Sequence, residues 1–369
     1  MRWDVIVVGG GPVGSLTARH LARRGFRTLV VEEDAAIGTP VRCAGLVTPR
    51  VLQLAGAGEE AVVNAISGAR VHAPDGTVIH IGGNKTHALV IDRAAFDAQL
   101  ADMAEAAGTV YRCSWRATAI HLDGKKRTVK GRETLHADFL VGADGAHSLA
   151  ARMCGAGEPK KLVCALQTVA RFNTDENTVE VFMGNHVAPG FFAWVVPEGR
   201  MARIGLGVAA GHSVRHYFDK LVRRLGVTPG RVTAGLIPLG LRTPLARRGM
   251  ALVGDAAGQV KPTSGGGLYP GLAGADLLAS CLAAAPNDDG LLSYEKEYQR
   301  AMGKELKRGL FMHNRFAKLD DDKMNRIFAA IDDGVVATIN DYGDIDHPSL
   351  AARALLKGHP SLVRFLLPF

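Results

Sequence analysis

Residues 4–9 read DVIVVG, an apolar run that enters a glycine cluster without a polar break. A run apolar on both sides predicts a parallel strand buried between helices, because a strand with one wet face would alternate. From Pro12 to about Arg24 the apolar positions recur at helical spacing, Gly25 closes the pattern, and TLVVEE follows as a second buried run. Strand, glycine turn, helix and strand make one βαβ unit.

The period then changes. IGTPVRCAGL is rich in turn residues, and a short helix follows it. ARVHAPDGTVIHIGG and HALVIDR alternate as antiparallel strands do. A helix is predicted from about Ala94 to Ala107, ended by Gly108, and DFLVGADG gives another buried strand that breaks into glycine. Between 160 and 241 the reading is mostly strands: VCALQTVARF, TVEVFMG, FFAWVVPEG and MARIGLGVAA. GMALVGDAAG repeats the strand-to-glycine pattern, and helical spacing dominates from about Gly271 onward. There is no internal repeat and no low-complexity linker. The predicted class is α/β. A Rossmann-like domain is assembled from 1–62, 93–159 and 242–290, an antiparallel β-sheet domain from 63–92 and 160–241 is inserted into it, and 291–369 forms a helical C-terminal region.

Composition narrows the field. The 369 residues are 47% hydrophobic and 22% charged, ordinary for a globular chain with a large core. A net charge of +8 suits anionic partners. With aromatics at 6% and no basic run interleaved with them, nucleic acid is the weakest candidate among those partners. Cys43, Cys113, Cys154, Cys164 and Cys281 are odd in number and contain no CxxC pair, which argues against a disulfide framework, a metal centre or a redox dithiol, and fits a reducing cytoplasm. MRWD runs straight into the first strand, so no signal peptide is expected. No apolar run approaches the roughly 18 residues of a membrane span. A cytoplasmic protein is expected, with peripheral contact at the membrane's inner face left open.

Gly9, Gly11 and Gly14 form GxGxxG between a strand and a helix. The first glycine permits the turn, the second admits a pyrophosphate to the backbone, and the third packs helix on strand. Phosphates are then held at the helix N-terminus by unpaired N–H groups and the helix dipole. Glu32, at the end of the second strand, is placed to accept hydrogen bonds from a ribose diol and disfavours a 2'-phosphate. This fingerprint leaves NAD and FAD both open.

Asp144 and Gly145 in VGADGAHS, and Gly254 and Asp255 in ALVGDAAG, each follow a buried strand. With GxGxxG they resemble the three fingerprints of the flavoprotein superfamily that includes para-hydroxybenzoate hydroxylase. That resemblance implies FAD, with Asp255 near its ribityl and pyrophosphate region and Arg93 of IDRAAFD beside the flavin. PVRCAGLVTP and VKPTSGGGLYPGL resemble the geranylgeranyl reductase family, particularly its archaeal branch, which saturates prenyl chains of membrane lipids. FFAWVVP is similar to that family's YxWxFP signature at Trp194 and Pro197, with Phe192 in place of its tyrosine and Val196 of its phenylalanine. GLIPLG and DYGDIDHPS extend the likeness toward the C-terminus.

The family resemblance implies a flavin site formed by Gly9, Gly11, Gly14, Glu32, Arg42, Cys43, Ala44, Gly45, Arg93, Ala117, Asp144, Gly145, Gly254, Asp255, Pro262, Gly265, Gly266, Gly267 and Leu268. It implies a substrate wall of Phe192, Trp194 and Pro197, and Cys43 as the residue closest to catalysis, as proton donor or holder of a water. The implied reaction reduces isolated C=C bonds, with electrons from an external donor, either NAD(P)H or a ferredoxin-like carrier, since no second GxGxxG marks a nicotinamide domain. Phe192 and Trp194 share a parity and face one side together. The C-terminal LARALLKGHPSLVRFLLPF sets Arg353, Lys357 and Arg364 among leucines, and suits either an anionic membrane surface or a helix packed on the domain. Two other activities stay open on the same scaffold: an FAD-dependent monooxygenase or halogenase, and a non-catalytic isoprenoid-binding flavoprotein.

Overall fold

The computed structural model describes residues 2–359 apart from 84 and 124–125. β1 (Arg2–Val8), α1 (Pro12–Arg23) and β2 (Thr28–Val31) form the first unit. β1 pairs in parallel with β2 on one side and with Thr134–Gly142 on the other. Val110–Arg112 and Met250–Leu252 extend the parallel sheet beyond them. Val5, Ile6 and Val7 are fully buried, the burial that their unbroken apolar run predicted. α1 packs against the helices Arg93–Ala106 and Leu268–Ala284. Three parallel strands therefore end, on the same edge, in Gly9, in Gly142–Gly145 and in Gly254, which is where open α/β sheets bind ligands.

The second sheet has seven strands, in the order Val232–Leu239, Lys161–Arg171, Met201–Ala209, Ala193–Glu198, Thr178–Phe182, Gly68–His72 and Val78–Gly82. All its pairings are antiparallel except Thr178–Phe182 with Gly68–His72. The chain thus combines a Rossmann-type sheet, an inserted antiparallel sheet and a helical C-terminal region.

Four details differ from the sequence reading. Of 63–92, only Gly68–Gly82 joins the large sheet, whereas Val62–Ile66 and Ala88–Ile91 pair with Leu46–Val47 in a separate three-stranded sheet. Ile66 and Val90 are buried against Val179 and Val196 of the large sheet, so the same alternation serves either partner. Within 160–241 lies an unforeseen helix, Val214–Arg224, capped by the Ser213 side chain accepting from His216 N–H. Its polar character hid it, but Phe218, Leu221 and Val222 stand at helical spacing and are all buried. A hairpin of Ala119–Asp123 and Lys126–Lys130 adds two antiparallel strands beside Thr134–Gly142. The strand carrying Trp194 starts at Ala193, one residue after Phe192.

Arg353 and Lys357 lie in the helix Ser349–Gly358. Arg364, Leu366, Leu367 and Phe369 fall outside the described residues. Among the described residues no helix is long and apolar enough to cross a membrane.

Phe218 is the largest apolar side chain under the unforeseen helix and is fully buried. Phe218→Ala is expected to cost about 3–5 kcal/mol in urea unfolding, the usual range for an emptied phenylalanine site.

Candidate functional site

Close backbone approach builds the first part of the site. A Cβ at Gly9, whose φ is +105°, would lie 2.3 Å from Ala143 O, and one at Gly14 would lie 2.0 Å from Gly9 O. Neither collision can be relieved by a side-chain rotation. At Gly11 nothing lies within 4 Å of such an atom, so the backbone there faces open space. Gly11 caps α1 without a side chain, and Pro12 takes the first turn, where a missing N–H costs nothing. The free N–H groups of this turn therefore face an open cradle that fits a pyrophosphate. Glu32 stands beside it, accepting from Gly10 N–H at 2.7 Å and Asp34 N–H at 2.9 Å. Trp115 N–H donates to Glu32 O, bringing the segment with Ala117 alongside, although Ala117 itself packs on the main core.

The second turn is partly structural. The Asp144 carboxylate accepts from the Ser148 hydroxyl and, at 3.0 Å, from Ala150 N–H, so it also caps the helix Leu149–Cys154. Burial holds its carboxyl above the usual range. Gly145, at φ +75°, has open space around it. In the third turn Gly254 packs on Val13 of α1, and its N–H donates to Gln259 Oε1 at 2.6 Å. Arg242, 3% exposed, ties these turns together: it donates to Ala146 O, while its own N–H donates to Ala257 O.

Asp255 projects from the third turn toward the TSGGG loop, and a Cβ on Gly267 would lie 2.8 Å from its Oδ1. Gly267 caps the helix Leu268–Ala284 with no side chain, so a second set of free N–H groups opens beside Asp255. Gly265 has φ +73° and touches Phe191 and Ile237. Leu268 packs inward on a core shared with α1, and Pro262 lies against Gly309. Burial pushes the Asp255 carboxyl up to about 6, against the opposing pull of Arg93.

Arg93 and the Cys43 loop close the remaining side. The Arg93 guanidinium is half-buried and forked on Asp97 at 2.9 and 2.8 Å. Its charge is held, against the cost of burial, by Asp97 and by the nearby Cys43 sulfur. Cys43 Sγ accepts from Gly45 N–H at 3.3 Å, and Cys43 O accepts from Gln167 Nε2 at 3.2 Å. Ala44 O accepts from Arg203, which is itself forked on Glu198. Gly45, at φ +69°, cannot carry a side chain, since a Cβ would lie 2.4 Å from the Ile91 carbonyl oxygen. Only the Arg42 carbonyl approaches the sheet, over Gly235, and its side chain is exposed.

The apolar wall follows from the same hydrogen bonds. Trp194 Nε1 donates to Gln167 Oε1 at 3.3 Å, linking the indole to the Cys43 loop through one amide. Phe192 meets Trp194 edge-on at 6.1 Å between centroids and stacks on Phe191 at 4.2 Å. Gly205 and Gly207 on the neighbouring strand leave room for these rings, each within 2.7 Å of one if it carried a Cβ. Pro197 is not part of the wall. Three residues beyond Trp194, its parity turns it to the other face of the sheet, and its carbonyl accepts from Asn64.

Gln167, Arg203, Gly205, Gly207 and Lys261 were missed by the sequence reading. Only the alternation in IGLGV, small residues opposite an aromatic strand, carried a signal. Lys261 Nζ reaches Asp346 Oδ1 at 2.6 Å, with side chains 9% and 0% exposed, and so ties the DYGDIDHPS segment to the TSGGG loop. Asp346 also accepts from Thr48 Oγ1, and Tyr269 OH meets His347 Nε2 at 3.1 Å.

Two helix N-termini, an open glycine cradle and a glutamate beside it define a dinucleotide-binding flavoprotein. A model of the FAD-binding domain family matches residues 2–213. The digeranylgeranylglycerophospholipid reductase of Methanothrix thermoacetophila is 32% identical over 362 residues, covering 90% of this chain and 92% of the relative. That of Methanocella arvoryzae is 32% identical, covering 88% and 90%. Among solved structures, a geranylgeranyl bacteriochlorophyll reductase-like protein from Thermoplasma acidophilum superposes with a TM-score of 0.86 at 25% identity, covering 99% of this chain and 98% of that one. A flavin-dependent halogenase superposes at 0.70 with 18% identity over 99% and 78%, a likeness of fold alone. The chain belongs to the FAD-binding domain family, in the branch of the digeranylgeranylglycerophospholipid reductases.

Gly14→Ala is expected to abolish FAD retention, read as loss of flavin absorbance after gel filtration, because the new Cβ meets a carbonyl that cannot move. Asp255→Asn has a pH signature. With the folded carboxyl raised to about 6 from 3.8, ionisation penalises the FAD-free fold increasingly between those values and fully above them. The asparagine variant, freed of FAD, is therefore expected to melt higher than the parent at pH 8, with the gain fading toward pH 4.

Proposed function

We propose that this chain is an FAD-dependent reductase that saturates isolated C=C bonds of geranylgeranyl chains, in archaeal-type membrane lipids or their precursors. The carrying observation is the Phe192–Trp194 wall, joined to the Gly265 turn through Phe191 and to Cys43 through Gln167. A wall of this kind holds an apolar chain and excludes water from it. FAD, when bound, supplies the hydride. The chain's residues have the remaining tasks.

An unactivated alkene accepts a hydride poorly, so its position and a proton source decide the rate. The aromatic wall fixes the chain. Cys43, beside the Arg93 guanidinium and fixed by Gly45 N–H, is the proton donor or holds the water that is one. The free N–H groups of Gly267 and of the helix after it would stabilise negative charge on a reduced flavin held beside them. Electrons come from an external donor, NAD(P)H or a ferredoxin-like carrier. Exposed Phe311, Leu350 and Leu356, near Lys307, Arg308 and Arg353 in sequence, support contact of the helical region with an anionic membrane surface from the cytoplasmic side.

Anaerobic mixing of the dithionite-reduced protein with a geranylgeranyl lipid, followed by mass spectrometry, tests the reading. Two added hydrogens per saturated bond, together with flavin reoxidation, are expected. Binding without turnover would support a carrier instead, and substrate-stimulated consumption of O2 in air would support a monooxygenase or halogenase. Cys43→Ala is expected to retain FAD yet lose at least about tenfold in alkene reduction, the lower range for a missing proton-transfer group. Unchanged turnover would remove Cys43 from the chemistry.

A further inference from the structure

The aromatic wall runs on to a buried histidine with lysines near it. The helix Lys304–Phe316 lies across the flavin loop, with Gly309 on Pro262 and Leu310 in the same apolar cluster as Phe191, Phe192 and Trp194. One turn further on is His313, 6% exposed, its ring 6.2 Å from that of Phe191. Among the described residues neither nitrogen of this imidazole has a protein hydrogen-bond partner. An imidazole nitrogen in this position can hydrogen-bond a polar group that comes in beside it. Burial and the charge of Lys161 push His313 down to about 4, so at neutral pH it is uncharged, with one nitrogen donating and one accepting.

Cations gather beside it. Lys160 and Lys161 stand at the start of the strand Lys161–Arg171. A Cβ on Gly240 would touch Leu310 and the Lys160 stem alike, at 3.1 and 3.2 Å, so the lysine and the helix meet there. Among the described residues the only lysines paired with acids are Lys261 and Lys323. Glu158, the nearest acid in sequence, acts on Arg242 instead.

We propose that this end of the wall is a subsite for the phosphate of the prenyl substrate: Lys160 and Lys161 supply the charge, His313 adds a hydrogen bond, and the chain runs from it along Phe192 and Trp194. The inference rests on the prenyl-reductase reading and gives its substrate an anionic head and a direction. The phosphate belongs either to a free prenyl phosphate or to the glycerophosphate of a lipid, and the probes separate these sources.

The test is equilibrium binding to the oxidised FAD-loaded protein, in which no turnover occurs, followed by Trp fluorescence. Geranylgeranyl phosphate, digeranylgeranylglyceryl phosphate and the uncharged alcohol geranylgeraniol are titrated in non-ionic detergent. Lys160→Ala/Lys161→Ala, both substitutions on exposed side chains, is expected to weaken one or both phosphates by at least about tenfold, as the loss of a charge-assisted contact does, and to leave the alcohol unchanged. The more affected phosphate names the source. Equal weakening of phosphate and alcohol, or of neither, would overturn the subsite. His313→Phe keeps the ring and removes the hydrogen bond, and a loss confined to the phosphates is expected. Because no reduction is measured, a phosphate-selective loss in a protein that never reduces alkenes would retain the subsite and reject the reductase, whereas turnover with unselective binding would do the reverse.

Discussion

The site depends on how closely three backbone turns approach one another. Gly9 lies against Ala143 O, Gly14 against Gly9 O, and Gly254 and Gly271 both lie against Val13. These contacts bring the ends of β1, Thr134–Gly142 and Met250–Leu252 to one edge, and they set the N-termini of α1 and Leu268–Ala284 side by side. Two helix starts without side-chain caps leave several N–H groups unpaired, a cost that an anionic dinucleotide relieves. Cavities of this kind are held open by the absence of side chains. Tight packing behind Gly9 and Gly14 and open space before Gly11 are two sides of the same constraint.

That constraint was legible because it is local. A buried strand announces itself by an unbroken apolar run, and the glycine after it announces the turn, so the fold and much of the dinucleotide cradle could be read from DVIVVGGGPVG, DFLVGADG and ALVGDAAG. Residues that fasten distant segments together left no such trace. Lys261 and Asp346 stand 85 positions apart, and neither has a pattern around it that names the other. Arg203, Arg242 and Gln167 join carbonyls from separate elements, which side-chain periodicity cannot encode. Pro197 failed for a different reason: a motif match disregards strand parity, and one step of parity moves a side chain through the sheet.

The Lys261–Asp346 pair shows what the helical region contributes. An ion pair this deeply buried gains little net stability over a well-packed apolar pair, but losing one partner leaves an uncompensated charge and costs several kcal/mol. Its consequence is placement. The lysine stem passes under Gly266, and Asp346 simultaneously holds Thr48, just beyond the Cys43 loop. One carboxylate therefore sets the spacing between the TSGGG loop and the segment that follows Cys43. The C-terminal region is thus part of the site's frame rather than an appendage to it.

Polarity also changes in a definite order along the groove. Backbone N–H groups and Glu32 lie at one end, Asp255 and Arg93 in the middle, and Phe192 and Trp194 beyond them. A dinucleotide with a polar, charged half and a flat aromatic half matches the first part of that sequence, and an apolar chain matches the last. Arg93 stands where the two meet. Its charge is already taken up by Asp97, so what it presents toward Cys43 and Asp255 is a fixed field rather than a mobile counterion. In a dry site such a field acts on any charge that develops beside it at full strength and without reorganisation.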